Sequence, residues 1–437
     1  MKRFSLMLML AIMTVSSAVF AGSIDYLSNQ SAKQVMTISR GGATDTSADL
    51  ANYNPAATAF FAPGLYIDFS NQTLFKPYEQ TYKFPALAGG ANKTVDQSEP
   101  TLFLPNLYAV YNAGQVGLGN LAVYMQLGIT AGGGTLKWDD GTAGTQGALA
   151  PLAGGNPILK QEFEATSVYY GISAGLAYAS PDNTVAVSAG ARVLIPKREI
   201  KLSTAIGAAA NSGSADIEYD AVGWAPIIGF SVKPIKDLAL SLRYEFETVL
   251  YMDYSVSTSG LLAGSLQSAL AAKGFSDGKK ANSNMPAMLS LGAEYKVNSE
   301  LTVLLGLNRY YLSKCESFGD DEYNTGYDAS IGATYRVMPE LLVGCGFSYT
   351  GIGVEDKYYE NSDNLLFASA MMPLDQLTFG VGGTYTVMPG LDVTLSFLWG
   401  HYLSDSWDVD LGTAGKLEVE YKKDVYDVAI GVSYKVF

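Results

Sequence analysis

"TYTVMPGLDV" (384–393), "TYRVMPELLV" (334–343) and "EYKVNSELTV" (294–303) are one phrase written three times. Each sets down a Tyr, a Val two places on, a short polar or Pro-bearing turn, and then Leu-x-Val. Before the second turn, Ile331, Ala333, Tyr335 and Val337 alternate with Gly332, Thr334 and Arg336. After the first-quoted turn, Leu391, Val393, Leu395, Phe397 and Trp399 alternate with Asp392, Thr394 and Ser396. A period of two means a strand with one apolar and one small or polar face, so each phrase is a β-hairpin.

Working outward, "LAYASPDNTVAVSAG" (176–190), "FSVKPIKDLALSLRY" (230–244) and "YAVYNAGQVGLGNLAVYM" (108–125) are more diverged hairpins of the same kind. Carried along the chain, this reading predicts fourteen strands, from 64–75 to 416–437. Short turns alternate with long connections at 76–101, 130–161, 203–214, 257–283, 314–325, 353–375 and 405–415. An even count, with short turns at one end and long loops at the other, is the plan of an antiparallel transmembrane β-barrel. A soluble sandwich is the competing architecture. It is disfavoured because Ser188, Gly190, Arg192, Arg243, Glu245 and Glu247 share the non-apolar parity. Charges there suit a wet lumen and are costly in a sandwich core.

Composition agrees. Charged residues are only 16% of 437, and the formal charge is −14. An acidic chain lacks the basic excess that phosphate recognition needs, so no nucleic acid is expected as partner. Lys2 and Arg3, then an apolar run from Phe4 to Val15, then Val19 and Ala21 before "GS", predict a signal peptide over 1–21. No later stretch reaches the about 18 apolar residues a transmembrane helix requires. Cys315 and Cys345 fall on different strands or strand ends, which argues against pairing. The last strand, "IGVSYKVF" (430–437), repeats the pre-turn phrase and ends on an aromatic.

Residues 22–63 do not alternate. They carry Gly41-Gly42-Ala43, then Asp45, Ser47 and Asp49, then Asn54-Pro55-Ala56. This resembles the hatch, a lumenal plug, of FadL-type outer-membrane transporters, a family that includes the TodX-like aromatic hydrocarbon channels. Ala57 stands where that family usually has Gly after Asn-Pro-Ala. "DAVGWAPIIGFSVKPIKDLALSLRYEFE" (220–247) and "MPAMLSLGAEYKVNSELTVLLGLNRYY" (285–311) are similar to two of the family's hairpins. The resemblance implies an all-β fold: a 14-stranded barrel at 64–437 holding an N-terminal hatch at 22–63. It implies passive uptake of long-chain fatty acids or other hydrophobic small molecules across the outer membrane, with the long loops outside. It implies no cofactor, outer-membrane lipid around the wall, and the barrel assembly machinery as a partner through the last strand. In the family the ligand leaves sideways beside a kinked third strand, here "LGITAGGGTLKW" (127–138). The alternative is a general porin or a structural, adhesive surface barrel.

Candidate residues follow from what such a ligand needs. "SGLLAGSLQSALAAKGF" (259–275) has helical spacing, with Leu262, Leu266 and Leu270 on one face, Ser259 placed to cap it and Gly274 to end it. With Phe275, Leu366 and Phe367 it is expected to form an outer apolar groove. The competing reading packs these segments on each other as a lid. An anionic headgroup in the lumen needs a cation. Arg192 and Arg243 have the inward parity, and Arg192 either meets that headgroup or pairs with Asp45 or Asp49. Arg243 has Glu245 and Glu247 nearby in sequence. The single His, His401, shares the parity of Phe397 and Trp399 and reads as part of an aromatic rim, which disfavours a hydrolase. The acidic loops "ESFGDDEY" (316–323) and "GVEDKYYENSDN" (353–364) lack a fixed Ca²⁺-ligand spacing, and no metal site is assigned.

Overall fold

The computed structural model describes residues 29–42, 46–83, 92–207, 211–318, 322–361, 364–410 and 416–437, without the side chain of Phe367. The expected signal peptide, residues 22–28 of the expected hatch, and Ala43 and Asp45 lie outside the described residues.

The alternating segments close into one ring. Gly64–Phe75 (β1) is continued by Tyr78–Lys83 (β2), and Asn92–Gln97 (β3) runs into Thr101–Val116 (β4). Then come Gly119–Trp138 (β5), Ile158–Ala179 (β6) and Val185–Ile206 (β7). Asn211–Asp220 (β8) with Gly223–Ile235 (β9) form one stave, and Leu238–Glu245 (β10) with Tyr251–Gly260 (β11) the next. Lys280–Asn282 (β12) leads into Met288–Lys296 (β13), followed by Leu301–Tyr310 (β14), Gly326–Met338 (β15), Leu341–Gly351 (β16) and Gln376–Met388 (β17). Leu391–Tyr402 (β18) continues as Asp405–Asp410 (β19), and Lys416–Lys435 (β20) ends the wall. The twenty segments are fourteen staves, all antiparallel, and β20 pairs with both β18 and β1 to close the barrel.

The repeated phrase is the hairpin it was read to be. Its apolar parity points out: Ile331, Tyr335, Val381, Leu395 and Ile430 are exposed, whereas Thr394, Ser396 and Ala429 are buried inside. That is the polarity of a barrel in lipid. In the turn after β17, Pro389 and Gly390 occupy the corner, and Gly390 has φ +84°. A type II turn wants Pro and then a residue at positive φ in these two places.

The inward glycines of the phrase have a purpose that the strand pattern does not reveal. Ala32–Thr37 (α1) lies against β15 to β18 inside the ring. A Cβ on Gly332 or Gly346 would strike the Thr37 backbone, and one on Gly380 the backbone of Val35. Ser31 caps α1, accepting from Gln34 N at 3.2 Å. Behind it, Leu50–Tyr53 (α2) leads into a 3₁₀ turn at Pro55–Phe60. Ala57 is buried in that turn, so the Ala departs from no glycine-only conformation.

Three expectations need correction. Regular structure continues into the long connections: β2, β3 and β19 lie in segments read as loops, and β5 to β7 run past their expected ends. A helix at Ala143–Ala153 (α3) was not expected. Ser259 does not cap the next helix, because it belongs to β11 and bonds Ser214 at 2.7 Å. That helix is Ala263–Ala272 (α4), with Leu262 at its N-cap, and the chain turns away at Gly274, φ +90°.

Candidate functional site

Residues 29–42 and 46–61 lie against the inner face of the wall and make polar contacts there. Arg40 and Asp49 form a two-point ion pair, Nη2–Oδ1 2.6 Å and Nε–Oδ2 3.0 Å, and Ser31 donates to the same carboxylate at 2.6 Å. Asp49 is therefore neutralised within the segment. Asn54 Nδ2 donates to Gly42 O at 2.9 Å and ties the two glycines to the Asn-Pro-Ala turn. Pro55 and Ala56 are buried beneath it. Attachments to the wall include Ser396 Oγ to Ala32 O at 2.6 Å, Ser241 Oγ to Gly41 O at 2.6 Å, Asn29 N to Thr130 O and Asn29 Nδ2 to Ile129 O at 2.9 Å each, and Asn112 Nδ2 to Thr58 O and Ala59 O at 3.2 Å each.

The mouth is built differently. Above the apolar band the inward parity turns apolar, and Trp138, Phe163, Tyr169, Tyr219, Tyr254, Tyr323 and Tyr421 pack with loop residues into one large cluster. α3, Asp356–Glu360 (α5) and Leu365–Ala368 (α6) lie over it. The loops are pinned by Ser369, which bonds Thr142 Oγ1 and Gly144 N at 2.9 Å each, and by Gln80 Nε2, which donates to Ser369 O at 2.9 Å. Cys315 is a free thiol in this cluster, and burial pushes it up to about 12. Burial likewise pushes the Tyr323 and Tyr358 hydroxyls upward.

Two cavities meet at one place. The upper, about 50 Å³, is bounded by Leu136, Phe163, Tyr169, Tyr219, Met285 and Phe318, with the Arg198 guanidinium on one side. Arg198 lies 5.2 Å from the Tyr169 ring centre and donates to Ser167 Oγ at 3.2 Å and Ser283 Oγ at 3.0 Å. The lower, about 200 Å³, lies between the N-terminal segment and the wall and is bordered by Arg40, Tyr53, Lys76, Arg243 and Asp328. Gly132 and Gly133 border both.

The expected site residues are not brought together. Leu266, Leu270 and Phe275 are buried, and Leu262 and Leu266 press on Gly213 of β8. Leu366 packs instead beside Gly144 of α3. None of these five borders either cavity, and the two segments pack at separate places, on β8 and on α3. The Phe367 side chain lies outside the described residues. Arg192 borders neither cavity. It pairs with Glu245, two staves away, and not with Asp49. Arg243 shares that Glu245, while Glu247 accepts from Asn284 at 2.7 Å. Two guanidiniums on one carboxylate leave one positive charge in the wall, on the side of the lower cavity that Arg243 borders. Arg198, which does face a cavity, was not among the expected site residues; it stands in the mixed-charge run "PKREIK" (196–201), which carries no signal of a lumenal site.

His401 sits on the rim, with Nδ1 2.9 Å from Asp424 and its ring 5.7 Å from Trp399. In the acidic loops, Glu322 accepts from Asn361 at 2.8 Å and from Asn364 at 3.0 Å. Glu199, Asp216 and Glu218 cluster within 4.8 Å, and Lys201, 2.7 Å from Glu199, offsets one of the three charges.

A closed, even-stranded antiparallel ring with an apolar outer band and short turns at one end defines an outer-membrane β-barrel. Among the described residues no helix is long and apolar enough to cross a membrane, and the crossing is made by strands. A family model described as outer membrane protein transport protein (OMPP1/FadL/TodX) matches residues 12–436. The chain belongs to this family of outer-membrane transporters of hydrophobic compounds, which are channels and not enzymes. The crystal structure of a Pseudomonas aeruginosa FadL homologue is similar over 95% of this chain and 100% of its own, with 13% identity and a TM-score of 0.71. The P. putida toluene transporter TodX matches over 94% and 99%, with 16% identity and a TM-score of 0.63. The Ralstonia pickettii toluene transporter TbuX matches over 94% and 99%, with 13% identity and a TM-score of 0.56. At these identities the likeness is one of fold. No curated protein matches the chain by sequence.

Proposed function

We propose that this barrel passively imports a long-chain fatty acid or a closely similar anionic amphiphile. The observation that carries the reading is the upper cavity: walls that are largely aromatic and aliphatic, with the Arg198 guanidinium on one side and the neighbouring Glu199 paired to Lys201. Each methylene moved from water into such walls gains about 0.8 kcal/mol, so a long acyl chain gains on the order of 10 kcal/mol. A carboxylate alone would resist the same transfer unless a cation met it. Arg198 is the group that meets it, in place of Arg192, whose charge is taken by Glu245. At about 50 Å³ the cavity is smaller than such a ligand, so Phe318 and Met371, both on long loops, move aside as it fills.

The remaining steps follow the same reading. Residues 22–63 act as the hatch, whose polar contacts with the wall can exchange for water. The ligand leaves sideways where β5 departs from β4. The apolar outer band meets outer-membrane lipid, and the last strand is what the barrel assembly machinery reads. α4 and the α6 segment serve as covers of the mouth.

Binding to purified protein in detergent tests this. Oleate is expected to bind at least tenfold more tightly than methyl oleate, and toluene weakly. Arg198→Met is expected to remove the preference for the acid, and Arg198→Lys to restore most of it. Equal binding of all three compounds, unchanged in Arg198→Met, sinks the fatty-acid reading. A large ion conductance through the intact protein, unchanged when residues 22–60 are deleted, would instead favour a general porin.

A further inference from the structure

The wall is not laddered evenly. β4 and β5 pair from Val116–Gly119 up to Asn106–Gly128, and their register stops there. Both strands continue, β4 still paired with β1 as far as Thr101 and β5 with β6 as far as Trp138. Two facing edges therefore run side by side past Gly128. The cause lies in β5, whose register against β6 shifts between Ile129 and Ala131 and again between Ala131 and Gly134. Gly132 and Gly134 have φ +93° and +74°, which side-chain-bearing residues adopt only with strain. A Cβ on Gly134 would strike the side chain of Thr101, so the edges are close but out of step.

Side chains join them instead. Asn106 Nδ2 donates to Ile129 O at 3.1 Å, and Thr101 Oγ1 to Gly133 O at 3.0 Å. Lys76, in the joint between β1 and β2, reaches across and is 1% exposed. Its ammonium donates to Gly133 O at 2.6 Å, Thr135 O at 2.7 Å and Thr101 Oγ1 at 2.9 Å. Higher up, Lys137 N approaches Gln97 Oε1 at 3.5 Å, and exposed Lys93 donates to Asp140 O at 3.1 Å. An ammonium has three N–H donors: here two cross the seam to β5, at Gly133 and Thr135, and the third holds Thr101 on the β4 side. These bonds are charge-assisted and stronger than the neutral ones around them. Without Lys76, Thr135 O loses its cross-seam donor and Gly133 O is left with Thr101 Oγ1 alone.

We propose that Lys76 is the latch of this seam: its ammonium holds β5 to β4 where the backbone does not, and its release opens the wall between them. The segment it holds includes Gly133, which borders both cavities, and Lys76 itself borders the lower one. Unlatching thus moves the one stretch the two cavities share. The idea rests on the sideways exit described above, but it is a statement about the unliganded wall and is tested without ligand.

Spin labels are placed at Leu102→Cys and Lys137→Cys, outward positions on either side of the seam, in a Cys315→Ser, Cys345→Ser background in nanodiscs. Pulsed dipolar spectroscopy reads their separation. Lys76→Met is expected to add a population longer by about one strand spacing, ~4.8 Å. Lys76→Arg, which keeps the charge and the donors, is expected to stay close to the parent. A second pair at Leu176→Cys and Val187→Cys reports the intact β6–β7 ladder and is expected not to move. An unchanged seam in folded Lys76→Met overturns the proposal, as does equal broadening at both pairs, which would mean general loosening. If Lys76→Met does not assemble, Lys76→Gln takes its place under the same criteria. Failure of oleate to bind would remove the proposed ligand and leave this measurement standing.

Discussion

In β20 the even-numbered residues face outward along the whole strand, but what occupies them changes. From Lys416 to Lys422 they are Lys, Glu, Glu, Lys, and the odd positions Leu417, Val419 and Tyr421 are buried inside. From Tyr426 to Tyr434 they are Tyr, Val, Ile, Val, Tyr, and the inward set is Asp427, Ala429, Gly431 and Ser433. The backbone does not change; the solvent does. Water outside forces an apolar interior, as in any soluble protein. Lipid outside takes up the apolar face and leaves the interior to small and polar groups. The molecule is thus a membrane belt with a small and polar inside, joined to a crown that is packed like a water-soluble core.

Removing the largest crown side chain is expected to have the largest effect. Trp138 is fully buried and donates to Ala370 O at 3.3 Å. Trp138→Ala should destabilise the crown by about 3–5 kcal/mol. Limited proteolysis should then cut the long loops while the belt keeps its heat-resistant migration on gels. Simultaneous loss of both would deny that crown and belt are separate packing units. Next is a charge on the lipid face. Val432→Arg should cost about 2–4 kcal/mol in denaturant unfolding from lipid. Glu420→Arg, on the same face of the same strand, should stay within about 0.5 kcal/mol. Similar values for the two would place the solvent boundary wrongly.

A smaller effect, about 1 kcal/mol, is expected for Tyr421→Phe, which loses the hydroxyl that donates to Ala370 O at 3.1 Å. No change in the melting midpoint would mean that the crown does not depend on this pin. The last test changes no stability. Cys315 lies in the crown with its thiol pushed up to about 12, and Cys345 lies on the outward face of β16 in the belt. At pH 7 a water-soluble maleimide should label neither, because one is buried and protonated and the other faces lipid. A lipid-soluble maleimide should label Cys345 alone. Labelling of Cys315 by the water-soluble reagent would show that the mouth opens far more readily than its packing implies.

The comparison also explains what could be read in advance. Belt strands announce themselves because lipid demands a continuous apolar parity, as in Leu391 to Trp399. In β2 the period of two is present, with Tyr78, Gln80 and Tyr82 inward. Its outward set, Glu79, Thr81 and Lys83, looks like a solvated loop to a reader following the apolar face. α3 hides for another reason: "AGTQGALAPLA" is built of small residues and has little contrast between faces. At the site, the spacing of Leu262, Leu266 and Leu270 correctly indicates a helix with an apolar side. What that side meets depends on Gly213, some fifty positions away in the chain and adjacent only in space. The partner of Arg192 is hidden in the same way, since Glu245 comes near only after two more staves are laid down.

The length of β20 has one further consequence. Nine residues, from Tyr426 to Tyr434, are enough to cross the apolar layer when tilted. The nine that precede them, from Lys416 to Asp424, at about 3.4 Å each and a tilt near 40°, raise the rim by about 23 Å. The opening therefore stands off the bilayer by nearly the thickness of the hydrocarbon itself. A sparingly soluble molecule arriving from the medium therefore meets the packed cover of the rim before it reaches the surface of the membrane below.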